Sequence, residues 1–209
     1  MVVLVASLGL AGALGGCNKE AEPVRQCYES FIVACNESNG PGAAALLAPA
    51  SIAYYDRLLG VARSGKRATV ERLTAIERAE VFAMRCRLAP QDMKNMTGRE
   101  WVALSVGKGW WAEDDESYHF GLGTITVRGD SATGIIKDYD GATPYKFDFV
   151  NDSGTWRLDF NRADELINRD IAQLCREAGI TEEEYLFEME LNETGQEVTD
   201  AVWNPPFSK

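Results

Sequence analysis

Tyr145-Lys146-Phe147-Asp148-Phe149-Val150-Asn151-Asp152-Ser153-Gly154-Thr155-Trp156-Arg157-Leu158-Asp159-Phe160 alternates apolar and polar side chains on both sides of one polar turn. Successive residues of a strand point to opposite faces, so a period of two turns one set inward and the other to water. Asn-Asp-Ser-Gly is turn chemistry, because Asn and Asp bond to their own backbone and Gly adopts positive φ freely. The stretch therefore predicts an antiparallel hairpin. Tyr145, Phe147, Phe149, Trp156, Leu158 and Phe160 face the core, and Asp148, Arg157 and Asp159 face outward.

Upstream, His119 to Arg128 and Ala132 to Tyr139 read as two more strands, joined by Arg128-Gly129-Asp130-Ser131 and followed by the turn Asp140-Gly141. Gly121 and Gly123 mark a bulge or bend, since no helix start follows them as a phosphate cradle requires. Before the strands the pattern is helical. Pro23 to Cys35 carries Val24, Cys27, Tyr28, Phe31, Ile32 and Cys35 at three- and four-residue spacing. A second helical region runs from about Ala43, breaks near Pro49 and ends at Gly65, and a third spans Thr69 to Leu88. Thr97 and Glu100 form a capping box ahead of Trp101, Val102 and Leu104. After the strands come helices over Ala163–Cys175 and Thr181–Leu191, the second with its own capping box. The first of them turns Leu166, Ile167, Ile171, Leu174 and Cys175 inward. The fold class is α+β: N-terminal helices packed on a curved antiparallel sheet of about four strands, cone-like, followed by one or two C-terminal helices. These last serve as a lid on the cone or cover a sheet edge.

The helical front, the hairpin Ile125 to Ala132 and the closing pair Phe147-Asp148-Phe149 and Gly154 to Asp159 resemble nuclear-transport-factor-2-like (cystatin-like α+β) domains. The resemblance covers residues 23–160. It implies a cone whose sheet curls round the helices, often in a dimer. That superfamily includes enzymes, small-molecule binders and interaction modules, so the fold alone does not choose a function.

Val2 to Gly16 is uncharged and ends in Leu14-Gly15-Gly16-Cys17, followed at once by Asn18-Lys19-Glu20. The run is shorter than the roughly 20 residues of a membrane-spanning helix. It has the size of a signal peptide's apolar region, and its glycines make a poor permanent helix. The quartet resembles the lipobox of bacterial lipoproteins, although no Lys or Arg precedes the run. The resemblance implies cleavage before Cys17 and lipid on its thiol. It predicts an envelope protein held to a membrane through Cys17, with Asn18 favouring the outer membrane where the host has one. The domains expected are a signal peptide at 1–16, a short tether at 17–22, the α+β body at 23–160 and a helical extension with tail at 161–209.

The chain has 209 residues, 45% of them hydrophobic, and a net charge of −11. This disfavours nucleic acid as a partner, since binding there neutralises phosphates with Lys and Arg. From Asp159 to Asp200 there are 13 acidic and 3 basic residues, and from Ala53 to Lys108 there are 11 basic and 6 acidic. These stretches read as two helical faces of opposite sign that touch each other, or as an acidic docking surface for a basic partner. Cys27, Cys35, Cys86 and Cys175 remain after the anchor. An exported protein favours disulfides. Cys27 and Cys35, eight residues apart on one helix, stand about 12 Å apart and do not bridge each other. Two bridges would tie the first helix to the segments carrying Cys86 and Cys175; the alternative is four free thiols.

His119 is the single histidine, and no CxxC pair occurs, so imidazole metal sites, a Ser-His-Asp relay and redox catalysis lack support. Trp110-Trp111 followed by Glu113-Asp114-Asp115-Glu116 reads as an acidic loop with tryptophans covering the core. Neither a cofactor nor a metal is expected. Trp101, His119, Tyr145, Phe147 and Trp156 are the candidate lining of a pocket or core. The first functional expectation is a non-enzymatic binding or interaction module, with a protein partner, a second copy or an apolar small molecule as ligand. Its rivals are a hydrolase- or isomerase-like enzyme with His119, Tyr145 and Asp148 at its mouth, and a structural dimerisation module.

Overall fold

Pro23 stands in the first turn of α1 (Glu22–Asn36), where its missing N–H costs nothing. The helix buries Val24, Cys27, Tyr28, Phe31, Ala34 and Cys35 on one face. The computed structural model describes residues 19–111, 121–138, 141–160 and 164–207, so Cys17, His119 and the acidic run 113–116 lie outside the described residues. The Asn39 side chain caps α2 (Gly40–Leu46) by accepting from the Gly42 N–H at 3.1 Å. Pro49 then opens α3 (Pro49–Ser64).

The single helix expected over Thr69–Leu88 is two. A short α4 (Arg67–Val70) is followed by α5 (Ala75–Arg87), because Thr74 and Glu77 form a capping box that starts the helix afresh. After α6 (Pro90–Met93) comes α7 (Gly98–Gly107), begun by the expected box of Thr97 and Glu100.

Four strands follow, β1 (Gly121–Arg128), β2 (Ser131–Asp138), β3 (Gly141–Asp152) and β4 (Thr155–Asp159), in an antiparallel meander of order β1-β2-β3-β4. The register sets Val127 against Ala132, Ala132 against Phe149 and Phe149 against Leu158, one apolar row across the sheet. The pairing of β1 shifts between Leu122 and Ile125, where Gly123 sits, as the glycines predict. Ser153 and Gly154 both take positive φ in the last turn.

Both outer strands are tied to the helices. Leu47, between α2 and α3, bridges Leu158 in parallel, and the Ala48 N–H donates to the Leu158 carbonyl at 2.8 Å. Ser51 donates to Asp159 at 3.2 Å and accepts from the Phe160 N–H at 2.9 Å. At the other edge Arg25 of α1 donates to the Leu122 carbonyl at 2.6 Å and to the Gly123 carbonyl at 3.2 Å.

Two helices, α8 (Asp164–Ala178) and α9 (Glu182–Thr194), and a 3₁₀ turn at Asp200–Trp203 complete the chain. The architecture is α+β, with helices, then sheet, then helices. The C-terminal helices pack mainly against α5 and against each other. Tyr145 of β3 reaches them by donating its hydroxyl to Asp170. In α8, Ile171 and Cys175 are buried with Ala75, but Leu174 is 49% exposed, against expectation. Helix α8 packs against α5 and α9 through the small cluster of Ala75, Ile171, Cys175 and Tyr185, and Leu174 lies off that stripe. The tail packs down, with Trp203 edge-on to Phe82 at 4.9 Å.

Candidate functional site: a tryptophan-walled cavity between helices

Three helical stripes converge beside the main core. From α5 come Ile76, Ala79, Glu80, Ala83 and Arg87, from α7 Trp101 and Ser105, and from α9 Leu186, Met189, Glu190 and Glu193. Their spacings of three and four put each set on one helix face. The chain turns back after α7 at Gly109, whose φ of +76° suits glycine, and delivers Trp110 and Trp111 as a further wall. These residues line a cavity of about 170 Å³ that is partly open to solvent.

Its charge centre is a bidentate pair. Arg87 donates through Nε to Glu190 Oε1 at 2.6 Å and through Nη2 to Oε2 at 2.8 Å, with side chains only 11% and 6% exposed. The guanidinium also lies 4.8 Å from the centroid of the Trp110 ring. Burial opposes the charge on Arg87, but the hydrogen bonds and charge of Glu190, with Glu193 and Glu80, outweigh it and hold Arg87 above its ordinary pKa.

Two further wall residues carry buried polar atoms. Trp101 and Ser105 are 2% and 1% exposed, and neither the indole Nε1–H nor the serine Oγ has a hydrogen-bond partner among the described residues. Buried polar groups are nearly always satisfied, so two orphans bordering one cavity single it out. Beyond the Arg87–Trp110 stack lies an open groove of about 790 Å³ that includes Asp92, Glu100 and Lys108.

Among the described residues expected to line a pocket, only Trp101 borders this cavity. Phe147 packs in the core, 5.6 Å from Tyr28 and 5.7 Å from Phe160 between ring centroids, and Trp156 is half-buried against the same core. Tyr145 is drawn to α8 instead, and its hydrogen bond to the Asp170 carboxylate raises its pKa. Asp148 accepts from Thr133 Oγ1 at 2.7 Å, across the sheet from its register partner. Trp110 and Trp111 do cover the core, as read from sequence.

Of the two readings left open for Cys27, Cys35, Cys86 and Cys175, the described residues show four free thiols and no bridge. Cys27 and Cys35 lie in the main core, Cys175 in the small cluster with Ala75 and Ile171, and Cys86 is exposed. Ser105, Arg87 and Glu190 were not singled out from sequence. The opposed charge of the two stretches that contain Arg87 and Glu190 was the available signal.

The acidic and basic stretches do meet. Besides Arg87–Glu190, Arg78 pairs with Glu182, and Arg67 lies 3.5 Å from Glu183. Among the described residues no group of three or more His, Cys, Asp or Glu is placed to hold a metal, and no helix is long and apolar enough to cross a membrane. No protein-family model matches the chain, and no curated protein or solved structure matches it significantly.

Proposed function

We propose that this chain is a lipid-anchored envelope protein whose folded body binds a small molecule in the cavity between α5, α7 and α9. The observation that carries the reading is the cavity wall itself: a buried indole N–H and a buried hydroxyl with no acceptor, beside a satisfied ion pair. Binding is favoured over catalysis because Glu190, the cavity's most buried carboxylate, is held bidentately by Arg87, whereas a general base needs its lone pairs directed at substrate. The anchor rests on Leu14-Gly15-Gly16-Cys17 after an uncharged run. The finer fold reading, a nuclear-transport-factor-2-like cone, is supported by helices preceding a four-stranded meander.

The anchor is tested by expressing the full chain in a bacterial host with a labelled fatty acid. Label on the protein and its recovery with membranes are expected, and Cys17→Ala abolishes both. A mature protein that keeps Met1 and carries no acyl chain defeats the anchor. The binding reading is tested by native mass spectrometry of the protein taken from its own membranes. A retained small molecule is expected; its absence, with Trp101 shown to be occupied only by solvent, defeats the reading.

A further inference from the structure

Resting on the binding reading above, we propose that the ligand is a compact organic cation that also carries a hydrogen-bond acceptor, the amino-alcohol class of which choline and ethanolamine are the simplest members.

Size sets the first limit. An engineered apolar cavity of about 150 Å³ takes benzene, and this one, at about 170 Å³, takes a group of similar bulk. Charge sets the second. The wall holds one basic residue, Arg87, and three acidic ones, Glu80, Glu190 and Glu193, a net of −2. Since Arg87 and Glu190 neutralise each other, Glu80 and Glu193 supply the net charge, which opposes an anion and favours a cation. The aromatic walls act in the same sense. Trp101 and Trp110 lie 5.8 Å apart between ring centroids, and Trp110 already stacks on one cation, the Arg87 guanidinium, which leaves Trp101 and Trp111 as the indoles for a second. Indole faces are the best partners for an ammonium group, methylated ones included.

The acceptor follows from the two unpartnered groups. The Trp101 indole N–H is a donor only, and Ser105 both donates and accepts. A purely apolar guest leaves both unsatisfied. A hydroxyl oxygen accepts from the indole and exchanges a hydrogen bond with the serine. One molecule thus answers each property of the wall: an ammonium for the indoles and acids, and an oxygen for the two donors.

The test uses the full chain in a non-ionic detergent, followed by tryptophan fluorescence and calorimetry. The probes are choline, ethanolamine, tetramethylammonium (a cation without the oxygen) and 3,3-dimethyl-1-butanol (the neutral shape of choline). Saturable binding of choline or ethanolamine is expected. The neutral analogue binds at least about tenfold more weakly, and tetramethylammonium about two- to tenfold more weakly than choline. Glu193→Gln, at an exposed position, weakens binding without moving the melting midpoint, and Ser105→Ala weakens binding without lowering the midpoint, because it removes a buried hydroxyl that had no partner. Glycerophosphocholine identifies the source: affinity equal to that of choline assigns a lipid headgroup, and weaker binding assigns the free amino alcohol. Equal binding of the neutral analogue overturns the cation and leaves the binding reading intact. Silence of every probe overturns the amino-alcohol class; a small molecule still retained from native membranes then preserves the binding reading, and none retained removes both.

Discussion

Cys27 is 7% exposed, and burial pushes its thiol up to about 11, with Arg157 opposing the rise. Thiolate is the reactive form, so a thiol this high and this buried is inert near neutral pH. Cys35 and Cys175 are buried as well. The Cys86 thiol is likewise pushed up to about 11 by burial and Glu190, so exposure alone sets it apart. With a maleimide on the native, reduced protein, we expect Cys86 to label first, and slowly, and the other three to stay silent. After unfolding, the proposed thioether on Cys17 would leave mass spectrometry four labelled cysteines of the five in the chain. Five labels contradict the lipid, and fewer than four in unreduced protein contradict free thiols. At this scale much was legible. The alternation around Asn151 to Gly154 identified Phe149 and Leu158, which are 1% and 0% exposed. Tyr145 shares their phase but not their environment. Phase says which side of a strand a residue takes, not which neighbour waits there, and Asp170 comes from 25 residues downstream.

Glycine spacing governs how closely the helices approach one another. A Cβ on Gly40 would meet the Ala103 carbonyl oxygen at 1.8 Å, and one on Gly98 the Ile52 carbonyl oxygen at 2.4 Å. These contacts are backbone, which does not yield as a side chain does. Gly40→Ala is expected to cost about 1–3 kcal/mol of stability through overpacking between α2 and α7. Gly60, inside α3, has open space around its would-be Cβ. Gly60→Ala therefore raises stability by about 0.5–1 kcal/mol, the usual gain of Ala over Gly within a helix. Chemical denaturation of both variants checks the contrast; equal effects of one sign refute it. Element boundaries were legible wherever local chemistry set them. The boxes at Thr97 and Thr181 stand alone in the sequence and open the helices they predict, whereas Thr74-Ala75-Ile76-Glu77 carries the same signal inside an apolar pattern that runs on through it.

Across the whole molecule, the C-terminal helices and α5 join through charge as well as apolar burial. The decisive pair is Arg87–Glu190, since both side chains are nearly out of water. Removing one partner of such a pair strands the other charge, at about 3–5 kcal/mol. Glu190→Ala is expected to destabilise the fold by that amount, and Arg87→Met combined with Glu190→Leu by much less, because neither charge is then stranded. Equal losses in the single and double variants, measured by denaturant unfolding, rule out the stranded charge as the cause. The sequence by itself determined the strand meander, the helix faces, the opposite signs of two distant stretches and the expectation of a lipid on Cys17. Each is written in neighbours a few residues apart, where backbone geometry imposes a period of two or near four. Only the tertiary structure decided that Trp101, Ser105, Arg87 and Glu190 share one cavity. That neighbourhood depends on how three helices and a glycine turn pack together, and packing joins residues whose separation along the chain carries no periodic trace.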